Sequence, residues 1–218
     1  MLHDGATSAS PMSRTLPECG AQPPLRNLYS RSPIYSTKGM CTSSQPLATA
    51  IGVQILAKGG TAADAAVAMA AALNVTEPCS TGIGGDAFAL YYDSSSGQVS
   101  CLQGNGATSS GFSLEMLRER GISVEGRPLD PHSALCVTVP GAPLLWEDLV
   151  KRHGRMALAQ VLAPAAQLAR EGFPVGPVAS RQWSTEFLQG QEAIRVFRPN
   201  GTNPKVINHY QYHHIIII

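Results

Sequence analysis

The stretch from Lys58 to Asp93, KGGTAADAAVAMAAALNVTEPCSTGIGGDAFALYYD, leaves the chain few ways to fold, because a glycine pair, an alanine-rich helix, a glycine-dense turn and a strand follow one another without a spacer. Gly59 and Gly60 can close a preceding helix in left-handed backbone, and Thr61 with Asp64 has the spacing of a capping box. A new helix therefore starts at Thr61. Its Ala66, Met69, Ala70 and Leu73 fall on one face, and alanine almost everywhere else lets a neighbouring element come close. After Glu77 and Pro78 the chain turns through Ser80, Thr81, Gly82, Gly84 and Gly85. It then enters AFALYYD, where Phe88, Leu90 and Tyr92 alternate with Ala87, Ala89 and Tyr91, and both faces of this strand are expected to be buried.

The surrounding pattern is mixed α and β. Leu47, Ile51 and Ile55 mark a helix face ending at Gly59, and Ser94 to Gly97 reads as a hairpin turn into QVSCLQ, which gives two antiparallel strands. Ser113 is the expected N-cap of LEMLRER, closed by Gly121, and residues 121 to 135 read as an irregular excursion. A helix resumes at Pro143 with Leu145 and Leu149 inward and Lys151, Arg152 and His153 at the end that favours cations. Leu158 and Leu162 begin another, which Pro164 is expected to kink or restart before Gly172.

Composition excludes more than it proposes. In 218 residues, 16 basic and 15 acidic side chains give a net charge of +1, so nothing points to nucleic acid or an anionic membrane. The opening MLHDGATSASPMSRTLPECG fits neither a signal peptide nor a membrane span, which makes cytoplasmic residence the expectation. Five cysteines without a CxxC pattern suit reduced, buried thiols rather than a disulfide framework.

GIGGD invites a phosphate-cradle reading, but phosphate loops run from strand through glycine turn into a helix N-terminus. Here the order is helix, turn, strand, and no lysine follows the glycines. A tight turn or a close backbone approach is the plainer expectation. His209, His213 and His214 admit a metal-cluster reading, set against coincidence in a tail with no companion carboxylate or cysteine. Cys79 and Cys101 admit a nucleophile reading, set against packing. For His153 the choice is between catalysis and a helix-end cation, for Asp86 between a catalytic acid and a turn residue, and Trp146 and Trp183 are most simply core or interface residues.

The run SSQPLATAIGVQILAKGGTAADAAVAMAAALNVTEPCSTGIGGDAFALYYD resembles the large-subunit start of the γ-glutamyltransferase (glutathione hydrolase) family, and SQPLA with GIGGDAFAL is closer to its soluble, bacterial-type branch. VTVPGAPLLWEDLVKRHGRMALAQVLAPAAQLAREGFPVG, from Val137 to Gly176, is similar to the family's VPG segment and the helices after it. With SRSPIYSTKGM and FRPNGTNPK the resemblance covers residues 30–205. It leaves residues 1–29 as a disordered extension and residues 206–218, ending in HHIIII, as a non-family tail. The fold it implies is α+β: part of an αββα sandwich of the N-terminal nucleophile hydrolase type, with antiparallel strands flanked by helices.

The resemblance further implies cleavage of a γ-glutamyl amide such as glutathione, with transfer to water or an amine and with no cofactor. The nucleophile of such enzymes is a threonine freed by self-cleavage, whose own α-amine takes the hydroxyl proton. That residue lies downstream of the segment matched here, in a Thr-Thr-His context. This chain has no Thr-Thr pair. Thr42, Thr61, Thr81 and Thr185 stand in other contexts, so no catalytic residue is assigned.

The large subunit of the family also brings an arginine to the donor's α-carboxylate, within a segment resembling GSGRAP. Here Gly104-Asn105-Gly106-Ala107-Thr108-Ser109 matches it, and Ala107 stands where the arginine would be. Arg118 and Arg120 lie nearby but on a predicted helix. The expectation is a truncated family member, inactive alone, for which a small-subunit segment or a full-length partner would be the natural companion. The rival readings are a non-catalytic interaction or assembly protein and, more remotely, a nucleotide-binding module built on GIGGD.

Overall fold

The computed structural model describes residues 33–122, 129–130, 133–183, 190–198 and, for the backbone, 209–210. The chain divides into a first unit, Met1–Tyr35, of which only the exposed residues 33–35 are described, and a second, Ser36–Ile218, which holds every described element. The expectations for residues 1–29, Thr185, His213 and His214, and the terminal isoleucines, lie outside the described residues.

Helix α1, Pro46–Ala57, buries Ala48, Ile51 and Ile55, as its apolar spacing requires. Gly59, at φ 89°, then turns the chain in a backbone conformation that L side chains disfavour. The capping box forms as predicted. In α2, Ala62–Thr76, the Asp64 N–H donates to Thr61 Oγ1 at 3.3 Å and the Thr61 N–H donates to Asp64 Oδ2 at 2.8 Å.

The buried side of α2 differs from the expectation. Ala63, Ala65, Val67, Ala68, Ala71, Ala72 and Val75 are buried, whereas Ala66 is exposed and Met69, Ala70 and Leu73 are only half-buried. With alanine at most positions the helix has little contrast between its sides, so close approach by its neighbours decides which face goes inward.

Strands β1, Ala87–Asp93, and β2, Gln98–Gly104, form an antiparallel hairpin with Leu90 opposite Cys101. Its turn is held by Asp93, whose Oδ1 accepts from the Ser95 N–H and hydroxyl at 2.9 and 2.7 Å, with Gly97 at φ 68°. Only one face of the hairpin is covered. Ala87, Ala89 and Tyr91 pack with Leu102 on the helices, while Phe88, Leu90 and Tyr92 are exposed, which corrects the expectation of a strand buried on both sides.

Ser113 caps the short α3, Leu114–Glu119, by accepting from the Met116 N–H at 3.1 Å, and a 3-10 turn occupies Ala134–Cys136. Helices α4, Ala142–His153, and α5, Leu158–Glu171, follow, with Leu145, Trp146, Leu149 and Val150 of α4 buried. Pro164 does not restart α5. It removes one backbone donor, yet burial of Val161 and Ala165 in the main core keeps the helix continuous.

The chain then runs through β3, Phe173–Pro174, α6, Pro177–Trp183, and α7, Gln191–Phe197. A two-residue strand β4, His209–Tyr210, pairs antiparallel with β3, so the backbone at His209 belongs to a small sheet. One core lies between α1, α2, α4, α5 and the inner face of the hairpin. A second gathers Val75, Ala169, Phe173, Val175, Ala179 and Trp183.

Candidate functional site

Three glycine-bearing segments, distant in sequence, meet where the GIGGD turn enters β1. The Gly85 carbonyl accepts from the backbone N–H groups of Gly141 at 3.1 Å and Ala142 at 3.0 Å. Asp86 Oδ1 accepts from the Gly106 N–H at 3.0 Å and from the Thr138 hydroxyl at 3.1 Å. The Val139 N–H donates to the Ala107 carbonyl at 3.0 Å. A Cβ on Gly106 would overlap the Val139 carbonyl, and one on Gly141 would overlap the Gly104 carbonyl. Glycine is needed at both positions because backbone lies directly on backbone. GIGGD, GNGA and VTVPG thus form one platform with Asp86 as its staple; within GIGGD the tight-turn reading holds, the Gly85 N–H donating to the Gly82 carbonyl at 3.4 Å, while a Cβ on Gly82 or Gly84 would meet open space.

Two buried carboxylates hold the helices beneath it. Glu77, after α2, accepts from the Ser44 hydroxyl at 2.8 Å on Oε2 and from Gln45 Nε2 at 3.0 Å on Oε1, which ties the SQPLA segment to the TEP segment. Asp64, fully buried, adds to its capping role a bond from the Arg155 N–H at 2.9 Å, so α2 begins against the end of α4. Gly154 lies so close that a Cβ there would overlap Asp64 Oδ1, which has no hydrogen-bond partner.

The residues singled out from sequence distribute unevenly around this platform. Ala107 is exposed on it and brings only a methyl group. Arg118 and Arg120 are exposed, in α3 and at its C-cap. Among the threonines, Thr42 is exposed, Thr61 is a helix cap, and Thr81 donates to the Glu77 carbonyl at 3.4 Å. The Thr61 hydroxyl also donates to Asp64 Oδ2 at 3.2 Å, inside the capping box and on a fully buried carboxylate rather than facing an open site.

His153 ends α4 and stacks on Tyr91 with ring centroids 4.1 Å apart, while Trp146 and Trp183 are buried. The thiols depart from expectation. Cys41 is half-buried, with its pKa raised by desolvation, but Cys79, Cys101 and Cys136 are exposed, so neither Cys79 nor Cys101 serves as packing in this chain. Cys101 is exposed because it points to the uncovered side of the hairpin.

Sequence reading did not find the Glu77 and Asp86 staples. Each joins segments 20 or more residues apart, and local spacing carries no signal of that; the aspartate ending GIGGD was the available hint.

Helices against an antiparallel hairpin, with this platform at the strand entrance, place the chain in the α+β class of N-terminal nucleophile hydrolase folds. The gamma-glutamyltranspeptidase from Helicobacter pylori superposes with a TM-score of 0.73 at 28% identity, covering 82% of this chain and 52% of that one. A cephalosporin acylase from Bacillus halodurans gives 0.69 at 36% identity, covering 83% and 36%. The glutathione hydrolase proenzyme of Bacillus subtilis strain 168 is 36% identical over 168 residues, 75% of this chain. The family model described as gamma-glutamyltranspeptidase matches residues 48–213, and the chain belongs to that family. It spans about 28% of the length of that Bacillus relative.

Proposed function

We propose that this chain is the large-subunit opening of a γ-glutamyl amide hydrolase or transferase and that it does not turn over substrate by itself. The observation that carries the reading is the intact platform: GIGGD, GNGA and VTVPG are joined by the Asp86 and Gly85 hydrogen bonds, yet no threonine in the sequence stands in a Thr-Thr context and Ala107 supplies no cation. Positioning without a nucleophile or its base leaves the acyl-transfer step without an attacking group. The donors in view are γ-glutamyl compounds such as glutathione. The likeness to a cephalosporin acylase widens them to other amides.

The test is hydrolysis of a chromogenic γ-glutamyl anilide. The purified chain is expected to match a buffer control, and co-expression with the small-subunit region of a related family enzyme is expected to raise turnover above that region alone. Turnover by the chain alone, abolished by a substitution within it, would contradict the reading.

A second reading, a non-catalytic assembly protein, is favoured by the row of exposed apolar side chains at Phe88, Leu90, Tyr92 and Val99. A stable complex with the small-subunit region that shows no turnover would select it.

A further inference from the structure

Where α1 packs on α2, Gly52 is buried, and a Cβ on it would fall within 3 Å of both Met69 Sδ and Cys41 Sγ. Two sulfurs from distant segments therefore converge on one point against the glycine. Both residues line a cleft of about 420 Å³ formed by α1, α2 and the segment leading into α1, and Met40, 57% exposed, lines it as well. Alanine and leucine make up most of the remaining wall, with Thr42, Ser43 and Ser44, and among the described residues the lining holds no histidine or carboxylate.

Packing accounts for two sulfurs filling the place of an absent Cβ. It makes no demand that Met40 stand at the same cleft, largely open to water. What Cys41, Met69 and Met40 share is softness: thiolate and thioether donors select Cu(I), whereas zinc is held by thiolate, imidazole and carboxylate and would find one such ligand in this cleft.

Charge points the same way. One thiolate cancels the charge of a monovalent ion, and the neutral pair suits walls of alanine and leucine, while a divalent ion would keep a net charge there at a cost. The Cys41 thiol is available for this, since it is in no disulfide and has no hydrogen-bond partner among the described residues.

We propose that Cys41, Met69 and Met40 form a soft-metal site for one Cu(I), with the Cys41 thiolate as anchor and the two thioethers completing a shell of sulfur. Binding breaks the Cys41 S–H bond and forms an S–Cu bond; the proton leaves to solvent and copper keeps its oxidation state. The site lies outside the platform, and the proposal is independent of the γ-glutamyl reading.

The experiment is an anaerobic titration of the full chain against the Cu(I) complex of bathocuproine disulfonate, whose colour is lost as the protein takes the ion. Transfer of one equivalent is expected. In parallel, Ag(I), a soft monovalent ion without redox cycling, is added to protein isotope-labelled in its methionine methyl groups. The Met40 and Met69 signals are expected to shift and those of the other methionines to stay.

Cys79, Cys101 and Cys136 are exposed thiols that can capture Cu(I) by themselves, so the deciding variants keep every thiol. Met69→Leu is expected to weaken transfer about tenfold, and Met40→Leu by less, because each removes one soft donor. Leucine conserves the volume of methionine, and unchanged spectra away from the cleft will show that both variants fold. Cys41→Ser is expected to weaken transfer about a hundredfold or more, since it removes the thiolate.

Unchanged transfer when Met69→Leu and Met40→Leu are combined, or Ag(I) shifts spread over all methionines, would mean capture by exposed thiols and overturns the site. Absence of transfer overturns it as well, and so does displacement of Ag(I) by an equal concentration of Zn(II).

Discussion

On the helix side of the β1–β2 hairpin stand Ala87, Ala89, Tyr91 and Leu102; on the other side stand Phe88, Leu90, Tyr92 and Val99, between 62% and 78% exposed. The two faces share one set of backbone hydrogen bonds and differ in what they meet. Small side chains let α4 approach the strands, and Leu102 is buried among them. The outer face carries large apolar side chains, each worth about 1.5 to 3 kcal/mol if buried, and within this chain they gain little of that. Bulk without cover marks this face as a surface awaiting another layer, whereas the inner face is finished. Contiguous apolar patches of this kind favour association.

The largest effect expected from any single change is at the rim where the finished face meets the platform. Gly106→Ala would drive a Cβ into the Val139 carbonyl, backbone against backbone, and is expected to cost about 3 kcal/mol as an urea-melt difference. A near-neutral result would mean that the platform is looser than its hydrogen bonds imply.

Next come matched truncations of the two faces. Leu102→Ala is expected to destabilise by about 2 kcal/mol, the low end for truncating a buried leucine, since it empties a buried site. Leu90→Ala is expected to stay within about 0.5 kcal/mol. Equal costs would erase the distinction between the faces. Phe88→Thr with Leu90→Thr should lower binding of a hydrophobic dye while leaving the melting curve nearly unchanged.

The smallest effect lies at the turn that joins the strands. The Ser95 hydroxyl, the Ser95 N–H and the Ser96 hydroxyl hold the Asp93 carboxyl below the usual aspartate pKa. A carboxylate with a depressed folded pKa contributes stability that is present above its unfolded value and lost as pH falls through the folded one. The hairpin turn is therefore expected to loosen only in acid below the ordinary aspartate range. Carboxyl titration by NMR checks this, and an Asp93 midpoint at or above that range would contradict the bonding described.

The sequence made α1 and α4 legible because their apolar residues recur at helical spacing, and it made the capping box and the hairpin legible because both are local. The inward side of α2 was not legible, since nearly uniform alanine gives either side a claim to the core. Strand AFALYYD read as buried on both faces because its residues suit burial; whether a face is covered depends on what lies opposite, which a strand's own residues do not encode. The Glu77 and Asp86 staples were likewise hidden, as each depends on segments brought together only by folding. Family resemblance supplied the fold class, which periodicity alone could not.

The most direct test is a solvent paramagnetic relaxation measurement comparing the Leu90 and Leu102 methyl groups in the full chain. One finished and one open face predicts strong broadening at Leu90 and protection at Leu102. Equal protection of both would show that the outer face is already covered, and would contradict the claim that it awaits a second layer.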